Sequence, residues 1–203
     1  YTLDLEPLKE SAYENAGMTV DELVAKHRAA IGNVDAVRTI KTVAKGKMVF
    51  QGKEYPGSMT RFRMAPDKDY VELDFGVMKQ QQWVNAPNAW TALMGGPAGE
   101  VPVEERPLLF HESKLFPLLS AVSDGYKVDI KGKRDGQIEL ELTKEGGSAG
   151  RYYLDAATML VSRREKDEAT PRGTITTTER FGAYAENSGV DRKSTRLNSS
   201  HRT

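Results

Sequence analysis

The sequence predicts an α+β fold, mainly antiparallel β, in a single domain. Three observations carry this. A period of two recurs from Thr42 to Tyr184, an Asp135-Gly136 hairpin signal separates two apolar alternations, and the clearest helical signals lie in the stretches 19–32 and 108–122.

The first 17 residues, with Leu3, Leu5 and Leu8 around Pro7, read as a lead-in segment, either a short helix or the end of an upstream domain. The domain proper is expected over 18–190. It opens on a helix in which Thr19 and Glu22 form a capping-box pair, Met18 and Leu23 occupy the staple positions, and Gly32 is the stop. Leu23, His27, Ala30 and Ile31 make one stripe along it, and a second short helix from Asn33 adds Val34, Val37 and Ile40. Both stripes need a sheet to cover.

The alternation after Thr42 supplies that sheet. Met48 and Phe50 alternate with Lys47, Val49 and Gln51, Phe62 and Met64 with Arg61 and Arg63, and Val71, Leu73 and Phe75 with Tyr70, Glu72 and Asp74. Tyr126, Val128 and Ile130, then Ile138, Leu140 and Leu142, repeat the pattern on either side of Arg134-Asp135-Gly136, a tight hairpin. In each run the apolar set is expected to face the core and the polar set water, which places Arg61 and Arg63 outward. Further strands are expected in 149–165 and 174–184, with turns at 155–158 and 170–173. Between Trp90 and Tyr126, Pro107 and Pro117 divide an apolar stretch into one or two short helices bearing Leu108, Leu109, Phe116 and Leu119.

Composition excludes several functions. The 29 basic and 29 acidic residues leave no excess charge, so nucleic acid and anionic surfaces lack their usual electrostatic footprint. The absence of cysteine removes a disulfide scaffold, a thiolate zinc site and a cysteine nucleophile. No stretch approaches the ~20 apolar residues of a membrane span. The chain opens at Tyr1 without an apolar leader, which reads as a mature end or a cut.

The search for chemistry returns little. His111-Glu112-Ser113-Lys114-Leu115 begins like a zinc-peptidase motif, but Leu115 stands where the second histidine belongs, so no metal is expected. Gly95-Gly96-Pro97-Ala98-Gly99 and Gly146-Gly147-Ser148-Ala149-Gly150 lack the lysine that completes a phosphate loop. Ser113 lacks the strand-turn-helix elbow of a nucleophilic serine. Neither a catalytic residue nor a cofactor is expected. The apolar inventory says more: methionines and large aromatics on one face suit an ordinary core, and they also suit a cavity that adapts to apolar ligands.

From Asp191 onward the chain lacks apolar periodicity and reads as a polar, disordered tail over 191–203. Arg192-Lys193-Ser194-Thr195-Arg196-Leu197-Asn198-Ser199-Ser200-His201 resembles a translated sequencing-adapter oligonucleotide, so the tail is expected to be foreign to the fold.

The order of elements, and three local patterns, resemble the outer-membrane lipoprotein-sorting (LolA-like) superfamily. Val84-Asn85-Ala86-Pro87-Asn88-Ala89-Trp90 is similar to that family's turn before a strand-borne tryptophan, with Pro87-Asn88 in place of Asp-Gly. Arg151 to Leu160 is similar to a hairpin bracketed by an aspartate and a threonine, here Asp155 and Thr158. Phe181-Gly182-Ala183-Tyr184 followed by Asn187-Ser188-Gly189-Val190 is similar to the penultimate hairpin, and the final strand is expected to be missing. The resemblance implies an incomplete half β-barrel whose short helices cover a concave apolar face.

It further implies an exported, periplasmic carrier that shelters the acyl chains of a lipid or lipoprotein and works with an envelope protein partner; the alternative is a non-catalytic interaction or envelope-sensing module. The expected cavity residues are Met48, Phe50, Phe62, Met64, Leu73, Phe75, Met78, Trp83, Trp90, Leu108, Leu109, Phe116 and Leu119. Arg63, before Met64-Ala65-Pro66, matches the position of the family's lid-fastening arginine; a solvated arginine on the sheet face is the competing reading.

Overall fold

Among the described residues, twelve strands hydrogen-bond into one open sheet that carries three short α-helices. The structure is a computed structural model and describes residues 12–50, 53–145, 150–170, 173–187 and 190–201. For Phe50, 168–170, 173–175, 183–187 and 190–201 it describes the backbone alone. The strands are β1 (Thr39–Phe50), β2 (Lys53–Met64), β3 (Lys68–Asp74), β4 (Lys79–Asn85), β5 (Asn88–Leu93), β6 (Gly99–Glu100), β7 (Lys127–Arg134), β8 (Gln137–Thr143), β9 (Gly150–Asp155), β10 (Val161–Thr170), β11 (Gly173–Asn187) and β12 (Val190–His201). Their spatial order, β6-β5-β4-β3-β2-β1-β12-β11-β10-β9-β8-β7, joins two antiparallel meanders through β12. β12 runs antiparallel to β11 and parallel to β1. The edges β6 and β7 do not pair with each other, so the sheet stays unclosed.

The first helix forms where its caps direct. In α1 (Val20–Ile31) the Thr19 hydroxyl accepts from the Glu22 amide, and the Glu22 carboxylate accepts from the Thr19 amide at 2.7 Å. Gly32, at φ 96°, ends it. Leu23, His27 and Ile31 are its buried stripe. The expected second helix is a single 3₁₀ turn, Val34–Ala36, because Val37 already has an extended backbone and Ile40 belongs to β1. Pro107 and Pro117 sit in the first turns of α2 (Arg106–Ser113) and α3 (Pro117–Ser120), where a missing amide hydrogen costs nothing. Asp135 and Gly136, both at positive φ, form the two-residue turn between β7 and β8.

The helices cover one face of the sheet. Its main core gathers Ile138, Leu140 and Leu142 of β8, Tyr152 and Leu154 of β9 and Val161 of β10 under Leu23, Leu118 and Ala121. A second cluster joins Ile31, Val34 and Leu160, with Phe116 and Leu119 against it. A third joins Val84, Ala89 and Val101 to Leu109 and Phe110 of α2.

The expected facing of β2 is reversed. Directly paired residues share a face, and the ladder sets Arg63 beside Ile40 and Asp69, Arg61 beside Thr42 and Val71, and buried Met59 beside Ala44 and Leu73. These are the helix side. Phe62 pairs with Tyr70, Tyr70 with Trp83, and Trp83 with Trp90, on the side away from the helices. Phe62 and Met64 are 45% and 44% exposed. The arginines turn inward because acid and carbonyl partners await them there.

The segment expected as a disordered tail over 191–203 has strand backbone as far as His201. The backbone of 190–201 forms β12, with Asn187 opposite Val190 and Ile175 opposite His201 on one side, and Lys45 opposite Arg196 on the other. Without it β1 and β11 would each present an unpaired edge, and main-chain bonding satisfies both without apolar periodicity. The lead-in segment lies outside the described residues up to position 11. Beyond it, Glu14 exchanges amide and carbonyl bonds with Lys133 of β7 at 2.9 and 2.8 Å.

Candidate ligand-binding site

A cavity of about 200 Å³ lies between the helix-facing side of the sheet and the α2–α3 segment. Leu115, Phe116, Pro117 and Leu118 line it from that segment, and His27 and Ile31 from α1. The sheet contributes Ile40, Met59, Val161 and Phe181, together with Arg61, Arg63, Arg164, Tyr152 and Glu179. His27 is kept from the cavity's chemistry by its Nδ1, which lies 2.8 Å from the Met159 carbonyl.

The arginines tie the helical segment to the sheet. The last carbonyls of a helix have no partner within it. Arg61 Nη2 donates to the Glu112 carbonyl at 2.6 Å, and Arg63 Nη1 donates to those of Lys114 and Leu115 at 3.0 and 3.2 Å. The positive charge also suits the negative end of the α2 dipole. The Glu112 side chain makes a further tie, with Arg164 against its carboxylate and Lys166 at 3.9 Å.

Burial alone would push the Glu112 carboxyl up, but Arg164, Lys166 and Arg61 outweigh it and hold the group down at about 2. Arg164 is also opposed by burial, yet Glu112 leads the neighbours that raise it above the usual guanidinium range. For Arg63, burial and then the charge of Arg61 bring the group down to about 10.

A second polar group lies behind the segment. His111 Nδ1 is 2.6 Å from Asp124 Oδ2, Lys114 pairs with the other Asp124 oxygen, and the Ser120 hydroxyl donates to Oδ2 at 3.1 Å. The ring of His111 lies 4.4 Å from that of Tyr126, and its buried Nε2 has no hydrogen-bond partner among the described residues. Burial lowers the imidazole, against the pull of Asp124. Ser113 is engaged elsewhere, donating to the Phe110 carbonyl at 2.8 Å. Among the described residues no three acid or histidine side chains are grouped so as to hold a metal ion.

The expected cavity residues separate into three sets. Phe116 lines the inner cavity, with Arg63 beside it. Phe62, Met64, Trp83 and Trp90 line a different space, an open groove of about 850 Å³ that also takes in Lys41, Lys68 and Tyr70. The rest line neither. Leu108 packs on the main core, Leu109 on the third cluster and Leu119 on the second. Leu73 shares the face of Met59, and Phe75 lies across Gly57, where an added Cβ would stand 2.3 Å from its ring. Met48 pairs with Tyr55 in β1 and β2, Met78 closes the turn before β4 through its carbonyl, and the Phe50 side chain lies outside the described residues.

The sequence reading missed Arg61, Arg164 and Tyr152 as lining residues. Two signals pointed to them: Arg61 and Arg63 stand two apart, interleaved with Phe62 and Met64, and Arg163-Arg164 lies near the start of a strand next to Tyr152-Tyr153. The register shift between Val161 and Arg163 changes the parity of β10, so alternation alone cannot choose which arginine points inward.

No protein-family model matches the chain, and no curated protein does. Solved structures do. A LolA superfamily protein from Nitrosomonas europaea superposes with a TM-score of 0.53 at 11% identity, covering 87% of this chain and 83% of that one. A domain named for outer membrane lipoprotein sorting, from Vibrio parahaemolyticus, gives 0.50 at 15% identity, covering 88% and 83%. Identities this low speak to architecture. The chain has the open, mainly antiparallel, LolA-like β fold.

Proposed function

We propose that this chain is a non-catalytic periplasmic carrier that shelters acyl chains of a lipid or lipoprotein between the sheet and the α2–α3 segment. The observation that carries the reading is the latch: Arg63 bonds the Lys114 and Leu115 carbonyls beside a cavity whose walls include Ile40, Met59, Phe116 and Phe181. A segment held by a few polar bonds over apolar walls can lift and return. Each methylene that enters contributes ~0.8 kcal/mol, so even part of a chain offsets those bonds. At about 200 Å³ the closed cavity is smaller than most ligand pockets, and the lid moves to admit a chain. The architecture shared with the sorting-protein domain supports the same job. No helix of the described residues is long and apolar enough to cross a membrane.

Native mass spectrometry of the purified chain tests this, alongside uptake of a fluorescent fatty acid. Co-purified lipid or saturable uptake is expected; repeated absence of both sinks the reading. A second reading, an interaction module that meets an envelope protein, is favoured by the aromatic row of exposed Phe62 and half-buried Tyr70, Trp83 and Trp90, on the side away from the helices.

A further inference from the structure

The three arginines lining the cavity are not equally neutralised. Arg61 grips Asp69 with two nitrogens, Nε to Oδ1 at 3.0 Å and Nη2 to Oδ2 at 2.8 Å. Arg164 has Glu112 and, at 4.0 Å, Glu179. Arg63 has no carboxylate within ion-pair reach among the described residues, and its Nε is buried with no hydrogen-bond partner. Among the described residues its hydrogen bonds go to two neutral carbonyls.

A buried cation with an idle donor is costly unless an anion completes it. The group keeps its proton at neutral pH, since burial and Arg61 bring it down only to about 10. Beside the charged side chains, apolar Ile40, Met59, Phe116 and Phe181 stand on the same cavity. A guanidinium in such a wall fits an amphiphile better than a plain hydrocarbon.

Resting on the acyl-binding reading above, we infer that the ligand carries an oxyanion head, carboxylate or phosphate, which pairs with Arg63 while its chain lies along the apolar wall. The head also acts on the lid. Charge-assisted hydrogen bonds are roughly twice as strong as neutral ones, so the oxyanion draws the guanidinium away from the Lys114 and Leu115 carbonyls. Recognition of the head and release of the lid are one event.

Calorimetric titration of the full chain with hexadecanoic acid, hexadecyl phosphate and methyl hexadecanoate tests this. At least one of the two anions is expected to bind roughly tenfold or more tightly than the ester, and which one identifies the head. Arg63→Gln should abolish that preference, whereas Lys127→Gln, at an exposed lysine of β7, should leave it intact. If Arg63→Gln does not fold, the anion-to-ester ratio of the unaltered chain decides. Equal affinity for anions and ester overturns the inference and spares the carrier reading; no binding of any of the three overturns both. A preference that survives in folded Arg63→Gln assigns the head to another cation and overturns it as well.

Discussion

Arg61 and Asp69 face each other diagonally across the β2–β3 ladder, Nη2 standing 2.8 Å from Oδ2 where both side chains are shut away from water. The pair fixes which side of β2 meets the helices. Removing one partner of a buried pair leaves an uncompensated charge, so Asp69→Ala is expected to cost about 3–5 kcal/mol. Arg61→Met with Asp69→Leu removes both charges and should recover most of the loss. Urea unfolding of the two single variants and the double variant measures this; equal losses in all three would deny the pairing.

Acid should loosen the α2 tie. The Glu112 carboxyl sits at about 2 in the fold against an ordinary 4.5. A depressed carboxyl stabilises the folded chain fully above the ordinary value, and this contribution disappears as pH falls from 4.5 toward 2. Its size is roughly 3 kcal/mol from 1.36 kcal/mol per unit. Unfolding free energies at pH 6 and at pH 2.5 should differ by less in Glu112→Gln than in the unaltered chain. An unchanged pH slope in that variant would remove Glu112 from the account.

His111 gives a milder limb at higher pH. Its imidazole is lowered by burial, so below the ordinary 6.5 the unfolded chain takes up a proton that the folded chain resists. Stability is therefore complete above 6.5 and declines as pH falls through the lowered value. His111→Gln retains a donor for Asp124 and should flatten this limb between pH 7.5 and 5.5 in thermal melts. A His111 ring whose NMR titration lies above 6.5 would reverse the sign.

Much of the fold was legible from short-range signals. The Thr19–Glu22 box, the Gly32 stop, the Asp135-Gly136 turn and the proline-led helices each depend on neighbours within a few residues, and each appears. The facing of β2 was not, because it is set by Asp69 and by carbonyls about 50 positions away at the end of α2. Alternation shows that two faces differ without saying which is inward, and hydrophobicity chose wrongly where the inner wall carries arginine. The cavity suffered most, since its apolar wall comes from Leu115–Leu118 and from strands on both sides of the junction at β12.

The reversed face has a direct test. Met59 is buried on the helix side and Phe62 is 45% exposed on the other. A charge at the first site is buried without a partner, and at the second it reaches water. Met59→Lys is expected to lose more than about 3 kcal/mol, and Phe62→Lys less than about 1. The reverse order in denaturant melts would restore the original facing.

Cutting the chain after Asn187 removes β12, the strand that joins the two meanders. β11 is bonded to it from Ile175 to Asn187, and β1 from Lys45 to Met48. The cut therefore frees two long edges at the centre of the sheet, where each lost ladder bond exposes groups that seek another strand. The expected result is a melting temperature lower by several degrees, or assembly through the bared edges that rises with concentration. Differential scanning calorimetry and light scattering on the cut and uncut chains distinguish the two. A cut chain that melts like the parent and stays monomeric would show that the meanders hold together through their helices alone.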